Sequence, residues 1–102
     1  MISLVESKRA ELARLCVRYH VQRLELFGSA AGEGFDPARS DLDFLVEFRD
    51  VPPGRHADCY FGLLEDLEAL FGRPVDLAEA KTVRNPYLLE AIERTRTVLY
   101  AA

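Results

Sequence analysis

The chain has 102 residues, 49% of them apolar, and a formal net charge of −4 at pH 7. That length and composition suit one domain, residues 1–102, with a real hydrophobic core, and they exclude a disordered chain. The acidic balance speaks against a broad nucleic-acid-binding surface; no direct nucleic-acid contact is expected, and a polyphosphate ligand would need local neutralisation, which points towards a divalent metal.

From the N-terminus, Val5, Leu12, Leu15, Cys16 and Tyr19 recur at helical spacing and predict an amphipathic helix over residues 3–19. Residues 23–27 alternate as a short strand that stops at Gly28. Ser29 to Ser40 contains Gly32, Gly34 and Pro37 and reads as a loop. The clearest strand follows, with Leu42, Phe44, Val46 and Phe48 alternating against Asp41, Asp43, Leu45 and Glu47. Pro52-Pro53-Gly54 marks a turn. A second amphipathic helix is expected over 57–71, stopped by Gly72 and Pro74, then a short strand at 75–77. Asn85 as N-cap and Pro86 at the first helical position start a third helix, whose buried stripe is Leu88, Ala91, Ile92 and Thr95. Residues 97–100 form a final strand. This order predicts an α/β (α+β) domain: a small mixed β-sheet of about four strands with helices packed on one face. Strand order does not follow from pattern alone.

No signal peptide and no apolar run of bilayer length is present, so a cytoplasmic protein without a membrane partner is expected. Cys16 and Cys59 form no C-x-x-C pair. Cys16 reads as a buried free thiol, and a disulfide would be unusual in that compartment. His20 and His56 show no metal-ligand spacing. Arg9, Arg14, Arg18 and Arg23 read as a solvated face, with a partner contact as the alternative. Tyr87 and Tyr100 read as packing residues.

Strand periodicity places Asp41 and Asp43 on one side, roughly 7 Å apart along the strand. The opposite side is uniformly apolar and must face the core. The same alternation turns Asp76 away from Val75 and Leu77. If the two strands are neighbours in register, three carboxylates share one surface. Folding alone offers no reason to group like charges. Hard oxygen ligands suit Mg²⁺, and one or two such ions can clamp the attacking and leaving oxygens of a displacement at phosphorus. An isolated D-x-D is more often the solvated face of an edge strand. Gly28-Ser29, directly after a strand, changes that balance, because a glycine there lets a phosphate approach the backbone and the serine can donate to it. The stretch is neither a P-loop nor a dinucleotide-binding fingerprint.

Together, Phe27-Gly28-Ser29, the loop, Ser40-Asp41-Leu42-Asp43-Phe44-Leu45-Val46-Glu47-Phe48 and Arg73-Pro74-Val75-Asp76-Leu77 resemble the polymerase-β-like nucleotidyltransferase superfamily, and within it the minimal nucleotidyltransferase (MNT) branch. Arg84-Asn85-Pro86-Tyr87 and Val98-Leu99-Tyr100 extend the likeness over nearly the whole chain. The resemblance implies a nucleotidyltransferase fold and a Mg²⁺-dependent transfer of a nucleoside monophosphate, AMP from ATP, to a hydroxyl. Asp41, Asp43 and Asp76 would hold metal, with Asp76 the candidate for activating the acceptor, and Gly28 and Ser29 would bind the triphosphate. Ser40 is open between orienting the strand and contacting the nucleotide. Two departures stand out. The spacer from Ser29 to Asp41 is eleven residues, and Ala30-Ala31-Gly32-Glu33-Gly34 lacks the arginine many relatives carry. Arg39 is a candidate substitute, or else a solvated side chain.

Larger relatives hold the acceptor in an additional domain, for which this chain has no room. An open cleft, a second copy or another protein has to hold it. Minimal members resemble antitoxins of type VII-like pairs whose partner is a HEPN-type ribonuclease toxin, neutralised by binding, by adenylylation of a toxin tyrosine, or both. The alternative is a non-catalytic module that neutralises the toxin by contact. An oligomeric transferase acting on a small molecule or nucleic acid is the third reading.

Overall fold

A computed structural model of the chain describes residues 3–31, with the backbone alone at 29 and 30, and residues 41–102. The first amphipathic stretch forms two helices, α1 (Ser3–Glu6) and α2 (Arg9–Arg18), instead of one. The Ser7 hydroxyl donates to the Leu4 carbonyl at 3.1 Å, and the Lys8 amide turns to Val5 instead, tightening the backbone at the break. Strand β1 (Val21–Phe27) runs into a 3-10 turn at Gly28–Ala31. Then come β2 (Leu42–Phe48), α3 (His56–Phe71), β3 (Val75–Glu79), a 3-10 turn at Ala80–Thr82, α4 (Pro86–Thr95) and β4 (Thr97–Ala101). Apart from the split first helix and the 3-10 turns, the described residues follow the expected element order, and most of the loop predicted over 29–40 lies outside them. Gly72, in the left-handed conformation, closes α3, and the Asn85 side chain accepts the Tyr87 and Leu88 amides to open α4.

The sheet is mixed, in the order β3-β2-β1-β4. Strand β1 is antiparallel to both β2 and β4, whereas β2 and β3 are parallel neighbours joined through α3. On one face Leu24, Leu26, Leu42, Phe44, Val46 and Leu77 meet Leu12, Cys16, Leu63, Leu67 and Phe71 from α2 and α3 in the main core. Phe44 and Phe71 stack there with ring centroids 5.9 Å apart.

The helices do not all pack on that face, and here the expectation needs correction. Helix α4 lies on the opposite side, where Ile92 and Leu88 join Phe27, Leu45, Ala78, Ala80 and Val83 in a second, smaller core. Leu45 is the reason. It sits between Asp43 and Glu47 on the face assigned to carboxylates, and its burial there requires an apolar cover.

A buried carboxylate secures this second layer. Glu25 on β1 is 2% exposed and receives the Arg96 guanidinium in bidentate fashion, Nε at 3.1 Å and Nη2 at 2.8 Å, with Arg23 3.5 Å away. The Arg96 contact, more than the opposing effect of burial, holds the Glu25 carboxyl below the usual carboxylate range. Since Arg96 follows α4 directly, the pair ties the end of that helix to the sheet.

Both edge strands have backbone groups engaged by side chains. On β3, Glu68 accepts the Val75 amide at 3.1 Å, the Tyr60 hydroxyl donates to the Leu77 carbonyl at 2.5 Å, and Thr82 donates to the Glu79 carbonyl at 3.1 Å. On β4, Arg9 donates to the Leu99 carbonyl at 3.2 Å. Cys16 and Cys59 are both buried and unpaired with each other, and burial pushes the Cys16 thiol up to about 12. Among the described residues no helix is long and apolar enough to cross a membrane.

Replacing Arg96 with alanine leaves a buried carboxylate with only the more distant Arg23. Urea denaturation of Arg96→Ala is expected to show a loss of about 2–3 kcal/mol, less than for a fully buried pair because Arg96 is partly solvated.

Candidate active site

The sheet register brings three elements of the site into one row. Phe27, the last residue of β1, pairs with Asp43 of β2, and Asp43 pairs with Asp76 of the parallel strand β3. Gly28 therefore stands at one side of Asp43 and Asp76 at the other. Asp41 lies just before β2, exposed, and the strand alternation gives it the side of Asp43. The expected adjacency of the third aspartate's strand is thus present.

Gly28 has φ +75°, and a Cβ at this position would overlap Asp43 Oδ2. Both properties demand glycine. Its amide is already committed, donating to Thr95 Oγ1 at 2.8 Å, while the Thr95 hydroxyl donates to the Ala91 carbonyl at 2.6 Å. Gly28 thus contributes close approach to the carboxylate; its own N–H is occupied by α4. The side chain of Ser29, together with Arg39 and Ser40, lies outside the described residues.

Asp43 is half-buried, and its carboxyl is pushed up to about 6. Burial is the largest cause, followed by the charge of Asp76, a hydrogen bond shared with Asp76, and the charge of Asp41. Among the described residues no three carboxylate, histidine or cysteine side chains converge as a closed ligand set. What the structure brings together is the pair Asp43 and Asp76, with Asp41 adding its charge from the start of the strand. These donors are hard oxygens carrying uncompensated negative charge, a chemistry that fits a divalent cation such as Mg²⁺.

The row opens into a cleft of about 470 Å³ lined by Phe27, Gly28, Asp43, Asp76, Leu77, Ala78, Leu88 and Ala91. Helix α4 forms its apolar wall. A second groove of about 680 Å³ shares Leu77, Ala78 and Leu88 with this cleft and extends around β3 to His56, Tyr60 and Phe61 of α3.

The remaining sequence candidates fall outside the row. His20 sits at the turn into β1 with φ 61°, its carbonyl accepting the Arg49 amide. His56 opens α3, with Nε2 2.9 Å from Glu79 Oε1, a pairing that spacing did not suggest. Arg14, Arg18 and Arg23 form ion pairs with Glu11, Asp66 and Glu25, and Arg9 pairs with Glu6. Tyr100 packs against the main core, whereas Tyr87 is 83% exposed and is not a packing residue. On a helix, one step from Leu88 rotates a side chain by about 100°, and that carries Tyr87 off the buried stripe.

Comparison with known proteins agrees with this fold. A model of the nucleotidyltransferase domain matches residues 9–99. The chain belongs to the nucleotidyltransferase domain family. Two Methanocaldococcus jannaschii proteins, provisionally named protein adenylyltransferases, are 38% and 36% identical over 76 residues, covering 74% of this chain and 74% of each relative. A solved structure provisionally named a minimal nucleotidyltransferase is 32% identical, covers 94% of this chain and 95% of its own, and superposes with a TM-score of 0.71. The fold is also that of the MNT antitoxin complexed with the tri-AMPylated HEPN toxin of Shewanella oneidensis (TM-score 0.65, 17% identity, 96% of this chain and 73% of that one). A toxin–antitoxin structure with AMP-PNP matches similarly, at TM-score 0.66, 20% identity, 92% of this chain and 73% of that one. The minimal nucleotidyltransferase resemblance drawn from the sequence is therefore correct, and the chain is a member of an enzyme family.

The raised Asp43 pKa has a measurable cost. The folded carboxyl binds its proton more tightly than the unfolded one, whose value is near 3.8. Its contribution to stability is therefore greatest at low pH and is lost as pH rises from about 4 through about 6. In the absence of divalent cations, the melting temperature of wild type should fall between pH 5 and pH 7.5 by more than that of Asp43→Asn. The variant should also be the more stable of the two at pH 7.5. Parallel slopes would show that Asp43 ionises unhindered.

Proposed function

We propose that this nucleotidyltransferase moves AMP from ATP to a hydroxyl of a partner protein, a HEPN-type toxin, and serves as its antitoxin in a type VII-like pair. The observation that carries this reading is the single row of Gly28, Asp43 and Asp76 across three adjacent strands, with Gly28 pressed against Asp43. Support for the protein acceptor comes from the named activity of the two archaeal relatives and from the AMPylated toxin bound to a protein of this fold.

Asp41, Asp43 and Asp76 would hold Mg²⁺, one ion or two, which when bound neutralises the phosphate charge and polarises the reacting phosphorus. The chain's own contributions follow from where its residues stand. The missing side chain at Gly28 lets the Asp43 carboxylate lie directly against the backbone at the end of β1, and Ser29 and Ser40 are assigned to the nucleotide. Leu88 and Ala91 exclude water from one wall of the cleft, which strengthens every charge interaction inside it. Asp76, exposed at the far side of Asp43, takes the proton of the attacking hydroxyl.

Neutralisation by contact alone is the second reading, and the exposed apolar side chains Tyr87 and Leu89 of α4 favour a docking role. Incubation with labelled ATP, Mg²⁺ and the product of the neighbouring gene separates the two. Label should appear on the partner with wild type, and Asp43→Asn and Asp76→Asn should each lower the rate at least about a hundredfold. A stable complex that never becomes labelled would leave the contact reading in its place.

A further inference from the structure

The Gly28 amide is hydrogen-bonded outside the sheet, to the hydroxyl of Thr95, 67 residues further along the chain. Topology brings the two together. Strand β4 is antiparallel to β1, and its first residue, Thr97, pairs with Leu26. Continuing that register by two residues brings Thr95, in the last turn of α4, level with Gly28. The contacts on either side of Thr95 tie the helix down at the same place. Ile92 packs with Phe27, and Arg96 holds Glu25. Glu25, Phe27 and Gly28 at one strand end thus meet Arg96, Ile92 and Thr95 at one helix end.

A threonine hydroxyl has one proton and two lone pairs. Here the proton goes to the Ala91 carbonyl at 2.6 Å, one turn back along α4, and a lone pair accepts the Gly28 amide at 2.8 Å. These two bonds fix the direction of the hydroxyl, and a β-branched side chain resists rotation about its first bond. Glycine has the opposite character. At φ +75° Gly28 has no side chain of its own to lock the backbone, and it lies against Asp43, whose Oδ2 a Cβ here would overlap. A small rotation at Gly28 would shift both the Gly28–Ala31 turn and the backbone that confines the Asp43 carboxylate.

We infer that Thr95 is a positioning residue of the transfer site: its hydroxyl sets the place of the Gly28 backbone, and so of the turn that follows it, against Asp43. The inference rests on the nucleotidyl-transfer reading above, in which that turn takes the triphosphate. To it is added a residue that does not itself line the cleft. A misplacement of about 1 Å between reacting groups can cost about a hundredfold in rate, whereas a nucleotide can still be held by its other contacts. The Thr95 hydroxyl therefore acts on kcat before it acts on nucleotide affinity.

Three variants of the full chain test this. Thr95→Val keeps the shape and removes the hydroxyl, Thr95→Ala removes it without crowding, and Thr95→Ser keeps it. Amide hydrogen exchange followed by NMR should show the Gly28 N–H exchanging at least about tenfold faster in Thr95→Val and Thr95→Ala, and within about threefold of wild type in Thr95→Ser. With labelled ATP, Mg²⁺ and the neighbouring gene's product, kcat should fall at least about tenfold in the first two variants. The KM for ATP and the Kd for AMP-PNP should stay within about threefold, and Thr95→Ser should hold kcat within about threefold of wild type. Wild-type kcat without the hydroxyl, a loss confined to KM, equal losses in all three variants, or unchanged Gly28 exchange would overturn the assignment while leaving the transfer reading intact. Absence of label on the partner with wild type would sink the transfer reading, and the role of Thr95 with it, before any substitution is compared.

Discussion

Two carboxylates on the same rung of neighbouring parallel strands set the terms for the rest of this molecule. The β2–β3 register puts Asp43 beside Asp76, and burial of Asp43 magnifies their repulsion. A domain folding only for stability would place an apolar or oppositely charged pair there. Burial and the neighbouring charge of Asp76 raise the Asp43 carboxyl to about 6, so its ionisation at neutral pH carries a cost. The same uncompensated charge makes the location attractive to a cation.

Holding that pair in place requires a rigid frame on both sides of the sheet. The main core under Leu42, Phe44 and Leu77 fixes the strands from one face. From the other, α4 is fastened by Ile92 on Phe27 and Leu45, and by the Arg96–Glu25 pair at its end. Thr95, one residue before Arg96, then receives the Gly28 amide. A buried ion pair, a helix terminus and the glycine turn are thus successive links of one chain of contacts. The backbone at Gly28 is positioned by α4 as well as by β1, so Glu25 and Arg96 are linked to the cleft through contacts that include neither Asp43 nor Asp76.

Much of this was legible in the amino-acid order, and the remainder was hidden for identifiable reasons. Period-two alternation turned Asp41 and Asp43 to one side, and Asn85-Pro86 and Gly72 marked helix ends that the structure reproduces. The adjacency of Asp76 depended on strand order, a long-range property that local periodicity does not encode. The apolar run Leu42, Phe44, Val46 and Phe48 marks only one face of the sheet and says nothing of the face that α4 covers. A single apolar residue, Leu45, carried the information about the other. Likewise Glu25 read as an ordinary polar position of a strand, and only the fold reveals Arg96, 71 residues away, as its partner. The His56–Glu79 pairing is invisible for the same reason.

The engaged edges of the sheet have a consequence for how this protein can associate. An incoming strand would find the Val75 amide and the Leu77 and Glu79 carbonyls of β3, and the Leu99 carbonyl of β4, already hydrogen-bonded to side chains. Main-chain pairing is the least selective way for two polypeptides to adhere, because every sequence carries the same groups. Each group engaged in this way is one fewer for such pairing, which shifts recognition towards side-chain shape and chemistry.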